Sequence, residues 1–352
     1  MGGFRHQAFL YAGDDEFIAG ALAFTQAAVA AQEPVLVMTD RDKGDRLRAA
    51  LGRRAGGVEF ADMATVGANP ARIIPAWRRF ADAHAGDSML WGIGEPAWDG
   101  RSTSELVECR HHEALLNLAF SDAPGFRLLC PYDTSTLAPA VVAGARATHP
   151  VLYGSDGPCE NAGFAGVDAT ALLGEKLPEP PPSAARMAFG GDELRTVRHR
   201  VAQVAVVAGL GAEEAHDLAL AVGELATNSR YHGGGAGVLL TWVEPAAVVC
   251  EVRDTGRVSD PLVGRRRPTP TQAGGRGVWI ANQLCDLVQI RSSPRGTVVR
   301  VHKRIGQRRH GRGDARLAYR EGYTADKVFA AFTDADKERQ LGEALRLDQP
   351  LT

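Results

Sequence analysis

The sequence predicts an α/β domain with a mostly parallel sheet, followed by a smaller α+β domain. Three observations carry this. Strand-like apolar runs alternate with helix-like patterns through the first 150 residues, the order that builds a parallel sheet covered by helices. The run Leu177-Pro178-Glu179-Pro180-Pro181-Pro182 is stiff, extended and solvent-facing, and so marks a boundary. Beyond it come two helices and then strands joined by short turns, the pattern of helices beside an antiparallel sheet. A chain of 352 residues also favours two cores over one.

In the first domain, residues 8–11 form a short apolar strand. An acidic turn, Asp14-Asp15-Glu16, starts an Ala-rich helix over 16–31 that offers Phe17, Leu22, Phe24 and Val29 for packing. Pro34 opens a β-branched strand at 35–38, followed by a helix at 42–51 and a strand at 58–60. Residues 70–85 read as a long helix carrying Ile73, Ile74, Trp77 and Phe80. A strand at 89–93, a strong helix at 102–120, a strand at 127–130, a helix at 139–147 and a strand at 149–152 complete the alternation. Residues 1–153 are therefore one α/β domain and 154–182 a Pro-rich linker. In the second domain, 183–305, helices at 192–208 and 212–231 precede a strand pair at 238–242 and 248–253. An Arg-, Pro- and Gly-rich loop at 259–275 leads to a helix at 277–287 and strands at 288–291 and 297–302. The tail, 306–352, begins with a basic tether and ends in a charged helix at 324–347, suited to docking a partner or supporting a homodimer.

Composition narrows the function classes. A net charge of −2 gives no electrostatic case for direct nucleic-acid or acidic-membrane binding. No apolar run approaches the length of a membrane span, and no signal segment leads the chain. The five cysteines form no CxxC pair, which argues against a disulfide framework or zinc ribbon and fits a reducing cytoplasm. A soluble cytoplasmic protein is expected.

The most informative stretch is 218–235. Leu218, Val222, Leu225 and Ser229 recur at helical spacing as one stripe, while Glu224, Asn228 and His232 lie four apart on a second, polar ridge. Gly233, Gly234 and Gly235 end the helix. A polar ridge is usually just a solvated face, so the downstream motifs decide. Asp254-Thr255-Gly256 stands at a strand end, where a carboxylate can accept from an exocyclic amine while the glycine lets the backbone come close. Gly274-Gly275-Arg276-Gly277 precedes a helix, a natural phosphate site. Gly296-Thr297 opens the last strand with a hydroxyl that can reach a base.

The ordered series ExxxN, DxG, GxG, GT spans about 75 residues. It resembles the box series of the GHKL ATPase superfamily, and 183–305 look like its compact anti-sigma regulatory serine kinase branch. The resemblance implies a GHKL (Bergerat) sandwich binding ATP and Mg²⁺. Asn228 would ligate Mg²⁺, Glu224 would act as general base on a serine or threonine hydroxyl, and Asp254 would read the adenine amine, with Gly256 and Thr297 beside it. Gly275 and Gly277 would turn the lid across the phosphates, with Arg276 and more loosely Arg265–Arg267 offsetting phosphoryl charge. The first box departs from the pattern, reading DxGxV without its usual second glycine, and no dimerisation helix with a phospho-acceptor histidine precedes the domain. His199 and His232 are expected to be surface polar residues.

The N-terminal half has neither a P-loop nor GxGxxG. Strand ends at Thr39-Asp40, Gly94-Glu95-Pro96 and Pro131-Tyr132-Asp133 define a candidate sensor pocket. Glu105, Cys109, His112 and Glu113 share one region of the 102–120 helix. A solvated face over Leu106, Leu115, Leu116 and Leu118 is the expected role, and a metal or ligand ridge the sharper alternative. The phrases Phe9-Leu10-Tyr11, Glu33-Pro34-Val35-Leu36-Val37, Asn69-Pro70-Ala71-Arg72-Ile73-Ile74-Pro75, Gly92-Ile93-Gly94-Glu95-Pro96 and His112-Glu113-Ala114-Leu115-Leu116-Asn117 resemble the MEDS sensory domain. That resemblance implies a RecA-like α/β sensor without the ATP loop. A small-molecule signal is the partner expected at this N-terminal domain.

Together these point to an anti-sigma factor that binds a sigma factor and phosphorylates an antagonist, or anti-anti-sigma, protein. Two other readings compete: an ATP-gated partner-sequestering module without phosphotransfer, and a sensor histidine kinase.

Overall fold

A seven-stranded sheet forms the N-terminal half, in the order β3-β2-β4-β5-β1-β6-β7. Along the chain run β1 (Phe4–Tyr11), α1 (Asp14–Ala30), β2 (Val35–Thr39), α2 (Arg41–Leu51), β3 (Val58–Asp62), α3 (Met63–Val66), α4 (Ile73–Ala83), β4 (Leu90–Gly94), α5 (Thr103–Ala119), β5 (Phe126–Asp133), α6 (Pro139–Thr148), β6 (Val151–Gly154) and β7 (Gly157–Glu160). The computed structural model describes residues 3–86, 89–123, 125–154, 157–268 and 276–306. Every pairing in this sheet is parallel except the edge pair β6–β7. All five residues of β2 and of β4 are buried, as expected where helices cover both faces of a parallel sheet. One face packs α1 and α2 through Phe17, Phe24 and Leu47, and the other packs α4 and α5 through Ile73, Trp77, Leu115 and Leu116. Asp40 caps α2 by accepting from the Lys43 amide, and Ser102 with Glu105 forms a capping box on α5.

Residues 154–182 are not wholly extended. They contribute β7 and a short helix, α7 (Ala169–Gly174), before the exposed proline run. Leu172 of α7 packs against the core under α5, so part of the expected linker is folded onto the domains. Isolated Leu172-Leu173 is too short a period to announce a helix from sequence.

The second sheet has five strands, in the order β11-β12-β10-β9-β8, all antiparallel. Its elements are β8 (Ala185–Phe189), α8 (Leu194–Val207), α9 (Ala212–His232), β9 (Gly237–Glu244), β10 (Ala247–Asp254), α10 (Gly277–Leu284), β11 (Leu287–Ser293) and β12 (Gly296–Arg304). Strand β8 was not expected; its largely exposed ARMAF sequence lacks a long apolar run. Helices α8, α9 and α10 lie on one face over Leu239, Val248, Val252, Val288 and Val301. Both sheets belong to one compact unit. The expected tail helix lies outside the described residues.

Candidate functional site

Helix α9 carries the polar ridge. Glu224 and Asn228 are half-buried, whereas His232, at the helix end, is exposed. Burial lifts the Glu224 carboxyl above its ordinary range, against the opposing pull of the Arg198 guanidinium on α8. Such a carboxylate is a better proton acceptor than an exposed one. Among the described residues the Asn228 amide has no hydrogen-bond partner, so its oxygen is available to a ligand.

Strand β10 delivers Asp254 beside this ridge. Ser229 Oγ donates to Asp254 Oδ2 at 2.6 Å, and the Gly256 amide donates to Oδ1 at 2.8 Å. A carboxylate offers about four lone-pair sites, so acceptor capacity remains for an amine. The chain then crosses the end of α9 so closely that a Cβ on Gly256 would sit 2.3 Å from the His232 carbonyl oxygen. Thr297 pairs with Asp254 across β10 and β12 and donates its hydroxyl to the Gly256 carbonyl at 2.9 Å. Its proton is therefore spent on the loop. Ser292 Oγ, which accepts from the Val258 amide, supplies the proton for the 3.0 Å contact with Thr297. Thr297 thus fixes the Asp254–Gly256 turn from below.

The loop before α10 returns to the same place. A Cβ on Gly277 would lie 3.0 Å from Asn228 Nδ2 and 3.3 Å from Glu224 Cβ, so the start of α10 rests on the α9 ridge. Glu224, Asn228, Asp254, Gly256, Gly277 and Thr297 therefore share one end of the sheet–helix sandwich. Arg276 immediately precedes α10 and is half-buried. Gly275 and Gly274 lie outside the described residues.

One lid arginine is elsewhere. Arg265 is buried and faces the first sheet's layer, 3.7 Å from Glu108 of α5 and 3.4 Å from the Pro70 carbonyl. A guanidinium committed to a buried carboxylate is not free to meet a phosphoryl group, which corrects the expectation for Arg265. Arg266 stands 3.8 Å from Asp260. His199 is exposed. Ser229, on the apolar stripe of α9, holds Asp254, a role its spacing alone does not announce; the available signal was a hydroxyl at a stripe position otherwise filled by Leu218, Val222 and Leu225.

Residues 5–150 match the model of MEDS, the MEthanogen/methylotroph, DcmR Sensory domain, and residues 191–303 match the model of the histidine kinase-like ATPase domain. The chain joins a MEDS domain to a histidine kinase-like ATPase domain. No curated protein matches it. Among the described residues no helix is long and apolar enough to cross a membrane.

At the carboxyl ends of the MEDS strands, Tyr11, Lys43 and Glu95 bond one another. Tyr11 donates to Glu95 Oε1 at 2.5 Å, and Lys43 Nζ lies 2.7 Å from both the Tyr11 oxygen and Glu95 Oε1. Tyr132 instead turns to the opposite face, edge-on to His149. Helix α5 overturns the solvated-face expectation: Glu105, Cys109, His112 and Glu113 are all buried. The helix is covered on one side by the MEDS sheet and on another by the ATPase domain. Arg304 pairs with Glu105, and Arg291 Nη2 donates to Glu108 Oε1 at 2.7 Å. The MEDS segment before α4 reaches α10 as well. Asn69 Nδ2 donates to the Asn282 carbonyl at 3.1 Å, and Arg72 donates to the carbonyls of Asn282, Gln283 and Cys285 at 2.7, 2.8 and 2.9 Å. These are the orphan acceptors of a helix C-terminus.

Proposed function

We propose that the ATPase domain binds Mg-ATP and that the chain is a cytoplasmic anti-sigma factor, phosphorylating a serine or threonine of an antagonist protein under control of the MEDS domain. The observation that carries the proposal is the seating of Gly277 against Asn228 and Glu224, beside the Asp254 carboxylate. An amide oxygen suited to a cation, a carboxylate with raised basicity and an amine acceptor, all near the start of α10, support this reading. The Bergerat form of the second domain and the RecA-like form of the first are part of the same reading.

Asn228 and water oxygens suit Mg²⁺, a hard ion that keeps several waters and takes phosphate oxygens. Bound Mg²⁺ would offset charge on the phosphates. Asp254 orients the nucleotide by accepting from its exocyclic amine. Glu224 takes the proton of the attacking hydroxyl as its oxygen bonds to the γ-phosphorus and ADP leaves. Arg276, at the start of α10, faces the developing phosphoryl charge. The partner assignment rests on the resemblance of the box series to the anti-sigma branch. Control by the MEDS domain is supported by Asn69 and Arg72, which hold the far end of the helix that Gly277 begins.

The test is transfer from labelled Mg-ATP to candidate antagonist proteins. Phosphoserine or phosphothreonine should form with the wild-type chain and fall at least 100-fold with Glu224→Ala, a typical loss for a general base. Asn228→Ala should weaken nucleotide binding. Nucleotide binding with no phospho-product would overturn the kinase reading in favour of the sequestering module, and acid-labile phosphohistidine would favour a sensor histidine kinase.

A further inference from the structure

Four side chains from separate parts of the MEDS domain converge between its sheet and the α5–α6 layer. They are His6 of β1, Glu113 of α5, Cys130 of β5 and His149 between α6 and β6, all buried, and one potential ligand atom from each lies within 4.8 Å of all the others. His6 Nε2 is 2.8 Å from Glu113 Oε2, His149 Nε2 is 3.2 Å from the same oxygen, and Cys130 Sγ is 3.4 Å from His6 Nε2. Strand register explains the meeting: Ala8 pairs with Cys130 across β1 and β5, and His6, two residues before Ala8, shares its face.

The hydrogen bonds behind the two imidazoles fix what their inner nitrogens present. His149 Nδ1 lies 2.7 Å from the Ala145 carbonyl, which can only accept, so Nδ1 carries the proton. Asn117 donates its Nδ2 to the Thr148 carbonyl at 2.9 Å and turns its oxygen to His6 Nδ1 at 3.1 Å. His6 is therefore also protonated at Nδ1. Each neutral ring then aims an Nε2 lone pair at the Glu113 carboxylate, itself only an acceptor. Among the described residues, His149 Nε2 and Glu113 Oε1 are buried with no hydrogen-bond partner. One added proton relieves only one of these contacts. A cation at the centre satisfies all of them.

We propose that His6, Glu113, Cys130 and His149 form a tetrahedral site for a divalent transition metal, zinc being the best match. Two imidazole nitrogens, one sulfur and one carboxylate oxygen are a zinc-type donor set. With metal–ligand distances of about 2.0–2.3 Å, the edges of such a tetrahedron measure roughly 3.2–3.7 Å; the separations of 2.8, 3.2 and 3.4 Å lie in or near that range, and all four atoms lie within 4.8 Å of one another. The partners behind the rings, Asn117 and the Ala145 carbonyl, are of the kind that orient histidine ligands. Charge balances: a doubly positive ion, one thiolate and one carboxylate sum to zero, which suits a site this buried. On binding, the Cys130 Sγ–metal bond forms and the thiol proton passes to solvent, one per chain. Four protein ligands close the coordination sphere, as in sites that hold structure. The proposal goes beyond the ATP-site reading and stands or falls without it.

The test uses the full chain without nucleotide. Elemental analysis should find one zinc per chain after purification without chelator. Cobalt(II) added to metal-free protein should give the intense absorption of a tetrahedral ion together with a thiolate-to-cobalt charge-transfer band. Cys130→Ser should remove that band, and Asn117→Leu, which touches no metal, should weaken metal affinity 10–100-fold. No stoichiometric metal and no charge-transfer band in the wild-type chain would overturn the proposal, leaving a proton shared within the cluster. So would an unchanged spectrum in Cys130→Ser. If that variant fails to fold, the wild-type spectrum and the Asn117→Leu affinity still decide.

Discussion

Two donors hold the Asp254 carboxylate, Ser229 Oγ on one oxygen and the Gly256 amide on the other, so the residue proposed to read the base is aligned before any ligand arrives. The second donor requires the chain to pass against the end of α9. In Gly256→Ala the new Cβ meets the His232 carbonyl oxygen at 2.3 Å, a contact between two backbones that neither can relieve by a rotamer change. We expect a loss of about 1–3 kcal/mol, the usual cost of overpacking, together with weaker nucleotide binding; an unchanged denaturant midpoint would contradict it. In the MEDS domain, Glu95 provides a pH readout. Burial, only partly offset by Lys43 and Tyr11, raises its carboxyl to about 6. Because the folded value lies above the unfolded one, its contribution to stability is complete below about pH 4.5 and is lost as pH rises through about 6. The loss amounts to roughly 2 kcal/mol. Stability measured from pH 4 to 7 should therefore show a component in that window that Glu95→Gln removes, even though the variant also forfeits the Lys43 ion pair.

Helix α10 is held at both ends by different domains. Gly277 at its start lies against Asn228 of the ATPase domain, while Arg72 and Asn69 of the MEDS domain donate to the carbonyls at its end, joined there by Lys303 of β12. Arg72→Ala removes three of those donations and leaves carbonyls that lack intrahelical partners. A destabilisation of about 2 kcal/mol or more is expected from the charge-assisted bonds alone. Faster amide exchange in α10 and a several-fold rise in nucleotide Kd should accompany it; weaker stability with unaltered nucleotide affinity would mean that α10 does not couple the domains. This element also marks how far the sequence could be read. Glu224, Asn228, Asp254 and Gly277 were legible because each belongs to a short local motif: Glu224 and Asn228 lie one helical turn apart within α9, Asp254 ends β10 and Gly277 begins α10. The docking of Asn69-Pro70-Ala71-Arg72 onto α10 was not, because its acceptors are backbone carbonyls more than 200 residues away and carry no side-chain signature. The same holds for His6 and Glu113, which meet across 107 residues. On α5, spacing alone suggests one solvated face, yet both domains bury the helix.

At the scale of the whole molecule, a buried ionic cluster spans the two domains. Glu108 of the MEDS domain accepts from Arg291 at 2.7 Å and lies 3.7 Å from Arg265, all three being less than a tenth exposed. Gln289 Nε2 adds a longer contact to the same carboxylate oxygen, at 3.4 Å. Burying such groups gains little net stability over an apolar interface, yet removing one partner strands the others in a poor medium. Glu108→Gln keeps the shape and removes the charge, leaving two buried guanidiniums without their carboxylate. The expected cost is about 3–5 kcal/mol, and it falls on the interface because neither sheet's core contains Glu108. Calorimetry should therefore show the wild-type chain unfolding in one transition that couples both domains, and Glu108→Gln unfolding in two, with the ATPase domain's transition insensitive to Glu95→Gln. A variant that melts as one unit at the wild-type temperature would mean that the cluster does not tie the domains. Separate transitions with unimpaired nucleotide binding would locate the coupling in this cluster and leave the nucleotide site intact, as expected if that site is built from the ATPase domain's own residues.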